Sequence, residues 1–504
     1  MKMAKVLNIL GIILFAVQMI AAVLAVVLIH RLNMLPSRFF VAIVGALLGM
    51  LVLTGLLMFV HGKKPVSNAR KIVAGILALL IAIGCGVVVK LGWDAYRAMD
   101  QVTTPVVTTN PRDMYVFVRM EDPVQTLADT KDYRFAVLQD HEPEYTAQMM
   151  EQIEAAVGSA ITAYGYETSL QMADALFSNQ TDALIMNGVT TALLMEEAGY
   201  EDFLDKARIL YTMSVAEILQ TDPPETTVPV EVEKNITNTP FVLYISGSDT
   251  RYNHLAISRS DVNILAVINP ETKHILLINT PRDYFVANPR GNGALDKLTH
   301  CGIYGPECSM GALEALYGLE IDYYSQINFK GFEKLVDAVG GVTVYSDQAF
   351  QVGPVTIQKG ENTLNGEQAL TFSRDRYHVS GGDNGRGKNQ MKVIKAVVEK
   401  VTSSTVLISQ YAQILDSLGG MFKTSLTMDE ISDLVKMQLD DMASWNIQSF
   451  AVTGVGGSEK TYSAPSVYAY VMHPNMDTVT YAKGLADRVL AGEILSEADL
   501  AMPR

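Results

Sequence analysis

Phe241-Val-Leu-Tyr-Ile-Ser-Gly-Ser-Asp249 is the stretch on which the fold turns. Six residues of apolar and small character read as a buried strand, and the run ends in a glycine, a serine and an acid. Open α/β sheets place ligands just beyond the carboxyl ends of such strands. Asn263 to Ile268 and His274 to Asn279 are two more strands. Asn269-Pro-Glu-Thr-Lys273 between them is turn chemistry, so the pair forms a hairpin. The second strand ends in Thr280-Pro-Arg-Asp283. Gly341-Val-Thr-Val-Tyr345 and Ala369 to Ser373 read as further strands. Helices are expected at Met310 to Tyr317, Gly331 to Val339, Gly387 to Thr402 and in the last hundred residues. Residues 238–504 are therefore one α/β domain.

Upstream the chain changes character. Val6 to Ile29, Phe39 to Val60 and Ile72 to Val89 carry no charged residue. A bilayer core needs about 20 apolar residues as helix, so residues 1–95 read as three transmembrane helices, at about 6–29, 39–60 and 72–89. The first run is too long for the core of a cleaved signal peptide and continues into a second. Lys2 and Lys5 precede the first span, Arg31 and Arg38 flank the first connection, and Lys63, Lys64, Arg70 and Lys71 crowd the second. The most basic connection stays cytoplasmic, which puts the N-terminus inside and everything after Lys90 outside. The expected location is the cell membrane, with most of the chain extracytoplasmic.

Two Thr/Pro-rich stretches, Thr103 to Pro111 and Thr221 to Pro229, read as linkers. Residues 104–228 around and between them form a small α/β accessory domain. Met114 to Val118, Tyr133 to Leu138 and Ala183 to Met186 are its expected strands. Tyr145 to Tyr164 and Ser169 to Leu176 are its expected helices. Asp182-Ala-Leu-Ile-Met-Asn187 after a helix looks like one lobe of a solute-binding protein. With a single lobe, a structural or interaction role is the leading reading, and a small ligand or a synthesis partner bound at residues 112–220 is the other.

Composition narrows the classes of function. Among 504 residues, 39 Lys and Arg face 54 Asp and Glu, a formal net charge of −15. Non-specific nucleic-acid binding needs a basic surface, so nucleic acid is not an expected partner. Charged residues are only 18% of the chain, against about 25% in an average soluble domain. The deficit is that of a membrane protein. There is no Gly-Lys-Ser/Thr phosphate loop, Gly-x-Ser-x-Gly elbow or His-Glu-x-x-His zinc motif. The three cysteines rule out a disulfide framework, yet Cys301 and Cys308 share a glycine-containing loop in an oxidising compartment. A local disulfide is expected there, with two free thiols as the alternative.

The candidate chemistry is anionic. Asp249 and Asp261 flank a strand end and could hold a hard divalent cation, Mg²⁺ or Mn²⁺; the plainer reading has each capping a turn. Arg282 sits at another strand end. Arg374 and Arg376, two apart, would share one face of the expected strand. Asp383, Arg386 and Gln390 are spaced for one face of a helix whose N-terminus attracts anions. Arginine is the better bidentate partner for phosphate oxygens.

In order along the chain, Gly247-Ser-Asp249, Arg259-Ser-Asp261, Pro281-Arg-Asp283, Asp296-Lys-Leu-Thr-His300, Gly340-Gly-Val342, Leu364-Asn-Gly-Glu-Gln-Ala-Leu370, Arg374-Asp-Arg376 and Asp383-x-x-Arg386-x-x-x-Gln390 resemble the LytR-CpsA-Psr family. The several spans and accessory domain are similar to its CpsA branch. The resemblance implies an α/β/α sandwich with an apolar lipid pocket. It implies a ligase of Gram-positive bacteria that moves a glycopolymer, of capsule or teichoic-acid type, from an undecaprenyl-pyrophosphate carrier to peptidoglycan. Polysaccharide synthesis proteins would be further partners. By position, Asp249 and Asp261 match the family's metal-linked acids. Arg259, Arg282, Arg374, Arg376 and Arg386 match its pyrophosphate-contacting arginines, with Asp383 and Gln390 its other polar site residues. Lys297 falls in its lysine-containing loop and is expected to face the pyrophosphate as well. Asp261 or Asp383 is the expected base, and Arg282 and Arg374 the expected charge stabilisers. Asn389 stands where many relatives carry arginine, which puts one site charge or one supporting contact in question. A hydrolase using water as acceptor, and a non-catalytic envelope sensor, are the alternatives the same residues allow.

Overall fold

The computed structural model describes residues 2–60, 66–103, 113–139, 143–195, 199–200, 202–214, 235–248, 255, 258–380, 382–402, 414, 417–465 and 468–502. Three long apolar helices open the chain: α1 (Lys2–Leu32), α2 (Ser37–Phe59) and α3 (Asn68–Thr103). All are long and apolar enough to cross a membrane. Outward side chains such as Ile13, Leu48 and Leu80 are exposed, as lipid-facing residues would be. Small residues knit the bundle. Ala74, Ala78, Ala82 and Cys85 of α3 are buried, and Leu14 and Leu28 of α1 press against Gly75 and Gly92. Small residues let helices approach closely where no hydrophobic effect drives them together. The buried Thr54 hydroxyl of α2 donates to Gln18 Oε1 of α1 at 3.0 Å. Arg70 donates to the carbonyls of Leu57 (2.8 Å) and Val60 (2.5 Å), capping the end of α2 as a cation should.

The accessory unit is a five-stranded sheet in the order β3-β2-β4-β1-β5. Its elements are β1 (Met114–Arg119), β2 (Arg134–Leu138), α4 (Pro143–Val157), β3 (Thr162–Tyr166), α5 (Ser169–Phe177), β4 (Ala183–Asn187), α6 (Gly188–Leu194), the short α7 (Phe203–Lys206) and β5 (Ala207–Met213). β2 runs parallel to β3 and β4, the βαβ part, while β1 is antiparallel to β4 and β5. The helix expected to Tyr164 stops at Val157, because Gly158 takes φ +72° and Thr162 to Tyr166 pair as β3.

The larger unit is a mixed six-stranded sheet in the order β16-β11-β6-β7-β8-β17. β6 (Phe241–Ser248), β7 (Ser260–Asn269) and β8 (His274–Asn279) form an antiparallel meander; β11 (Tyr323–Asn328) joins β6 in parallel. β16 (Phe422–Thr424) and β17 (Asn446–Ala451) close the two edges. Alternation along the strands splits the core. Val242, Tyr244, Leu265, Val267, Leu276 and Ile278 face α9 (Pro306–Tyr317) and α14 (Met476–Leu490). Ile264, Ala266, Ile275 and Leu277 face α12 (Asp383–Val401). Helices α10 (Phe329–Ala338) and α11 (Gly366–Arg374) complete that second layer, over the small ribbons β12 (Val342–Ser346) with β15 (Gly360–Leu364) and β13 (Phe350–Val352) with β14 (Val355–Ile357). The result is an α/β/α sandwich. Strands β9 (Phe285–Ala287) and β10 (Leu295–Lys297), the short α8 (Leu298–Cys301), α13 (Met428–Asp441) and the ribbon of β18 (Gly454–Lys460) with β19 (Tyr468–Pro474) surround it.

Two expectations are corrected. Ala369 to Ser373 is not a strand but the body of α11. Asn365 accepts from the Gln368 backbone N–H at 2.9 Å while the Gln368 side chain accepts from the Asn365 N–H, a complete capping box. Cys301 and Cys308 are not disulfide-bonded: both thiols are free and buried in the α9-facing core, and Cys308 Sγ reaches Asn288 Oδ1 at 3.4 Å. Burial and the hydrogen bond with Cys308 hold the Cys301 thiol well above its ordinary pKa, so it stays protonated.

Candidate functional site

The meander aims Asp261. Opposite β6, Gly247 pairs with Val262 but Ser248 pairs with Ser260, so Asp261 is the extra residue of a β-bulge. Bulges re-aim one side chain out of the ladder. Behind it a buried network fixes the bulge. The Tyr244 hydroxyl donates to Asn263 Oδ1 (2.7 Å) and lies 2.9 Å from Ser260 Oγ; Asn263 Nδ2 donates to the Ser260 carbonyl (3.0 Å).

Arginines converge on this carboxylate. Arg282, just past the end of β8, donates from Nη1 to Asp261 Oδ1 at 2.8 Å, with both side chains under a fifth exposed. Burial alone would raise the Asp261 pKa, but Arg282, Arg259 and Arg386 together hold it below the ordinary carboxylate value. Burial pushes the Arg259 guanidinium down to about 10, Asp261 partly countering and Arg282 adding to the fall. Asp283 adds a second carboxylate 3.7 Å from Arg282, and the grouped guanidiniums offer the charge and forked donors that suit a phosphate.

Two helices bring the rest. α12 crosses so close to β8 that a side chain at Gly387 would meet Asn279 Nδ2 at 2.3 Å; this approach sets the buried Arg386 and Gln390 over the strand ends. Arg374 closes α11 with its guanidinium 4.3 Å from the Phe329 ring centroid. Arg376 lies in the following turn, donating to the Tyr377 hydroxyl at 2.8 Å. The two arginines are neighbours through that turn, not through a strand period. Buried Asp375 between them accepts from the backbone N–H of Tyr377 (3.3 Å) and His378 (3.2 Å).

These residues rim one cavity of about 520 Å³. Asp261, Arg282, Arg374, Arg376, Arg386 and Gln390 line its polar end. Leu243, Ile245, Phe332, Leu335, Val397 and Phe422 are among its apolar walls, between the sheet and helices α10 to α12. A charged rim on a greasy shaft suits an amphiphile. Arg259 stands outside the lining and acts on Asp261 through its charge. Lys297 is also outside it: its Nζ is held 2.7 Å from Asp283 Oδ1. Asn389 donates to the Phe372 carbonyl (3.3 Å), tying α12 to α11 rather than facing the cavity. Asp249 and the side chain of Asp383 lie outside the described residues. Among the described residues no three His, Cys, Asp or Glu cluster as a metal site. The apolar pocket that the resemblance implies is present; sequence reasoning missed Asp375, Tyr377 and Phe329 and did not name the residues of the shaft. Val393, Ile394, Val397 and Val398 continue the Arg386–Gln390 stripe at helical spacing, and that was the available signal.

Comparison with known proteins finds relatives of the larger unit. The polyisoprenyl-teichoic acid–peptidoglycan teichoic acid transferase TagU of Oceanobacillus iheyensis is 38% identical over 200 residues, which is 38% of this chain and 61% of that protein. The protein of the same name from Enterococcus faecalis is 37% identical over 203 residues, 40% of this chain and 65% of the relative. The chain thus spans less than two thirds of the length of either. Among solved structures, TagT bound to LI-WTA is 26% identical, with a TM-score of 0.41 over 53% of this chain and 97% of that one. The LytR_cpsA_psr family profile matches residues 210–483, more than half of the sequence, and the chain belongs to that family.

Proposed function

We propose that the chain is a membrane-anchored phosphotransferase that moves a glycopolymer from a polyprenyl-pyrophosphate carrier to peptidoglycan. The observation that carries this reading is the junction of an apolar shaft with an arginine rim in one cavity. The prenyl chain fills the shaft and the pyrophosphate lies among Arg282, Arg374, Arg376, Arg386 and Gln390. The relatives' names supply the polymer class, teichoic acid or a similar anionic glycan, and the acceptor, peptidoglycan.

In the transfer, an acceptor sugar hydroxyl attacks the phosphorus that bears the glycan. A new P–O bond forms, the bond to the bridging oxygen breaks, and polyprenyl phosphate leaves. The attacking hydroxyl gives its proton to a carboxylate; Asp261, kept ionised by its arginines, or Asp383 takes that role. Arg282 and Arg374 stabilise the charge that builds on the phosphoryl oxygens. Asp261 and, by its place in the sequence, Asp249 would supply the one or two carboxylates that Mg²⁺ or Mn²⁺ takes, with substrate phosphates completing the shell. When bound, that ion would neutralise phosphoryl charge.

The orientation follows the same reading. The connection after α1 and the outer end of α3 both touch the sandwich: Lys436 Nζ of α13 donates to Asn33 Oδ1 (3.1 Å), and Arg38 Nη2 to the Asp440 carbonyl (2.6 Å). With the basic connection at residues 63–71 cytoplasmic, this face is extracytoplasmic, in a Gram-positive cell membrane. The test uses the full chain in vesicles holding a polyprenyl-pyrophosphate oligosaccharide labelled on its sugar, with Mg²⁺ and peptidoglycan fragments. Label on the fragments, lost when Arg374→Ala and Arg376→Ala are combined, is expected. Label released to water instead would replace the transferase by a hydrolase.

A further inference from the structure

The greasy end of the cavity and the outer end of the membrane anchor share a side chain. Phe422 lines the cavity and packs against the core beneath α10 to α12. On its other side it packs, with Met428 and Ile431 of α13, against Ala98, Met99 and Val102 of α3. Met99 and Val102 are fully buried there, although they belong to a helix whose preceding turns face lipid.

The direction of the shaft agrees. Arg386 and Gln390 stand at its polar end and Val397 and Val398 further along the same helix. At about 1.5 Å per residue, Arg386 and Val398 are about 18 Å apart along α12. The helix ends against α13, where Gln438 Nε2 donates to the Thr402 carbonyl at 3.1 Å. α13 is the element that also holds Asn33 and Arg38 of the membrane connection. Leu243 and Ile245 of β6 and Ser325 and Ile327 of β11 line the sheet wall of the cavity, with Phe422 on β16 paired opposite Ile327. The arginine rim therefore points away from the bilayer and the shaft toward it. Trp93 and Tyr96 stack on α3 with ring centroids 5.9 Å apart, and Arg97 lies over Trp93, an aromatic belt that marks where α3 leaves the hydrocarbon. Met99 and Val102 are about one and two turns beyond it.

We propose that the prenyl chain passes from the bilayer into the cavity across the Met99–Val102–Phe422 contact, so that the outer end of α3 is a wall of the lipid site as well as an anchor. The proposal rests on the carrier reading given above. It makes Met99 and Val102 positioning residues for the lipid. Phe422 is the side chain that must turn to admit it.

The test places a benzophenone-bearing residue at Met99, and as control at Ile83, which is exposed within the span. The full chain is held in vesicles containing polyprenyl pyrophosphate labelled on its prenyl chain. A water-soluble short-chain prenyl pyrophosphate is the competitor. Photolabelling at Met99 is expected to fall about tenfold with competitor at ten times its Kd, because occupation of the arginine end expels the long chain. Labelling at Ile83, which meets bulk lipid, is expected to persist. Insensitivity of the Met99 adduct would overturn the proposal, and the same probe at Val102 gives a second, independent reading. Met99→Trp is expected to raise the KM of the bilayer-borne donor about tenfold, with kcat retained; an unmoved KM counts against the route. The two readings fail separately. Competed labelling without transfer to peptidoglycan keeps the lipid route and removes the transferase. Transfer with uncompeted labelling does the reverse.

Discussion

Asp261→Asn separates the binding role of the arginine rim from the chemical role of its carboxylate, because the two should move in opposite directions. The Arg282 guanidinium donates to Asp261 at 2.8 Å, and on the proposed reading its other edge meets the phosphate. A phosphate oxygen on the far edge of that planar fork would sit about 5 Å from the carboxylate. At an effective dielectric constant of about 20, two unit negative charges at that distance repel by about 3 kcal/mol. Screening at the cavity mouth reduces this, so neutralising Asp261 should tighten pyrophosphate binding by about 1.4–3 kcal/mol, roughly 10- to 150-fold in Kd. The amide can still accept the Arg282 hydrogen bond, so the rim keeps its geometry. Turnover should fall about 10²–10⁴-fold if the carboxylate takes the acceptor proton. Calorimetry with a short-chain prenyl pyrophosphate in EDTA reads the first quantity, and label transfer in Mg²⁺ the second. With Mg²⁺ present the gain in affinity should shrink or reverse, because a metal ligand is lost. Turnover within about threefold of the parent, well short of that loss, would reduce Asp261 to a scaffold residue. Weaker binding in EDTA would show that Asp261 holds the arginines in place rather than competing for them.

Three further outcomes are expected. Gly387→Ala drives a methyl group into Asn279 and should lower stability by about 1–3 kcal/mol in urea unfolding, with weaker phosphate binding as α12 shifts; an unchanged midpoint would mean the helix has room to move. Asp296 is fully buried, and although burial raises its carboxyl, donors from His300 (2.7 Å), Ser463 (2.5 Å) and Asn288 (3.0 Å) bring it below the ordinary value. A depressed carboxylate stabilises the fold above its unfolded pKa of about 3.9 and loses that contribution as pH falls through the lower folded value, so Asp296→Asn should flatten the parent's loss of stability below about pH 4. Unfolding the unreduced protein should expose three reactive thiols, and none from Cys301 or Cys308 before unfolding; a count of one would restore the disulfide.

Where local chemistry and tertiary packing ask for the same thing, the sequence was readable. The three spans and the β7–β8 hairpin are of this kind, since length, apolarity and turn residues leave few other choices. Ala369 to Ser373 was misread because a short apolar run has no clear period; the decision lies in Asn365 and Gln368, whose reciprocal capping starts a helix. Arg282, Arg374, Arg376, Arg386 and Gln390 could be named as a set from their motifs, and one cavity gathers them. Lys297 could not be placed, because its charge is engaged by Asp283, a neighbour only in space. The shaft was implied only by the family resemblance: its walls come from β6, β11, α10, α12 and β16, and of these only α12, with its Val393–Val398 stripe, carries a local signal for it.

On the proposed transferase reading, the anchor bears on catalysis through geometry. A single span on a flexible linker would let the site tumble, and the carrier would have to find it at an effective concentration set by the tether. Here α1 and α3 pack through small residues, and the connection after α1 is pinned to α13 by Asn33–Lys436 and Arg38–Asp440. Each exposed contact is worth little alone, but together with the buried Met99–Phe422 packing they fix tilt and rotation. The path from the aromatic belt then covers about 9 Å along α3 to Val102 and, beyond Phe422, about 18 Å along α12 from Val398 to Arg386. A carrier whose prenyl tail remains near the membrane can present its pyrophosphate to the rim only if that path is lined with apolar surface throughout. Val102 and Phe422 at the α3 contact, and Val393, Val397 and Val398 on α12, supply apolar surface of that kind. On this argument a chain that begins after Val102 would keep its arginines but bind long-chain carrier less tightly, because the α3 part of the wall would be missing.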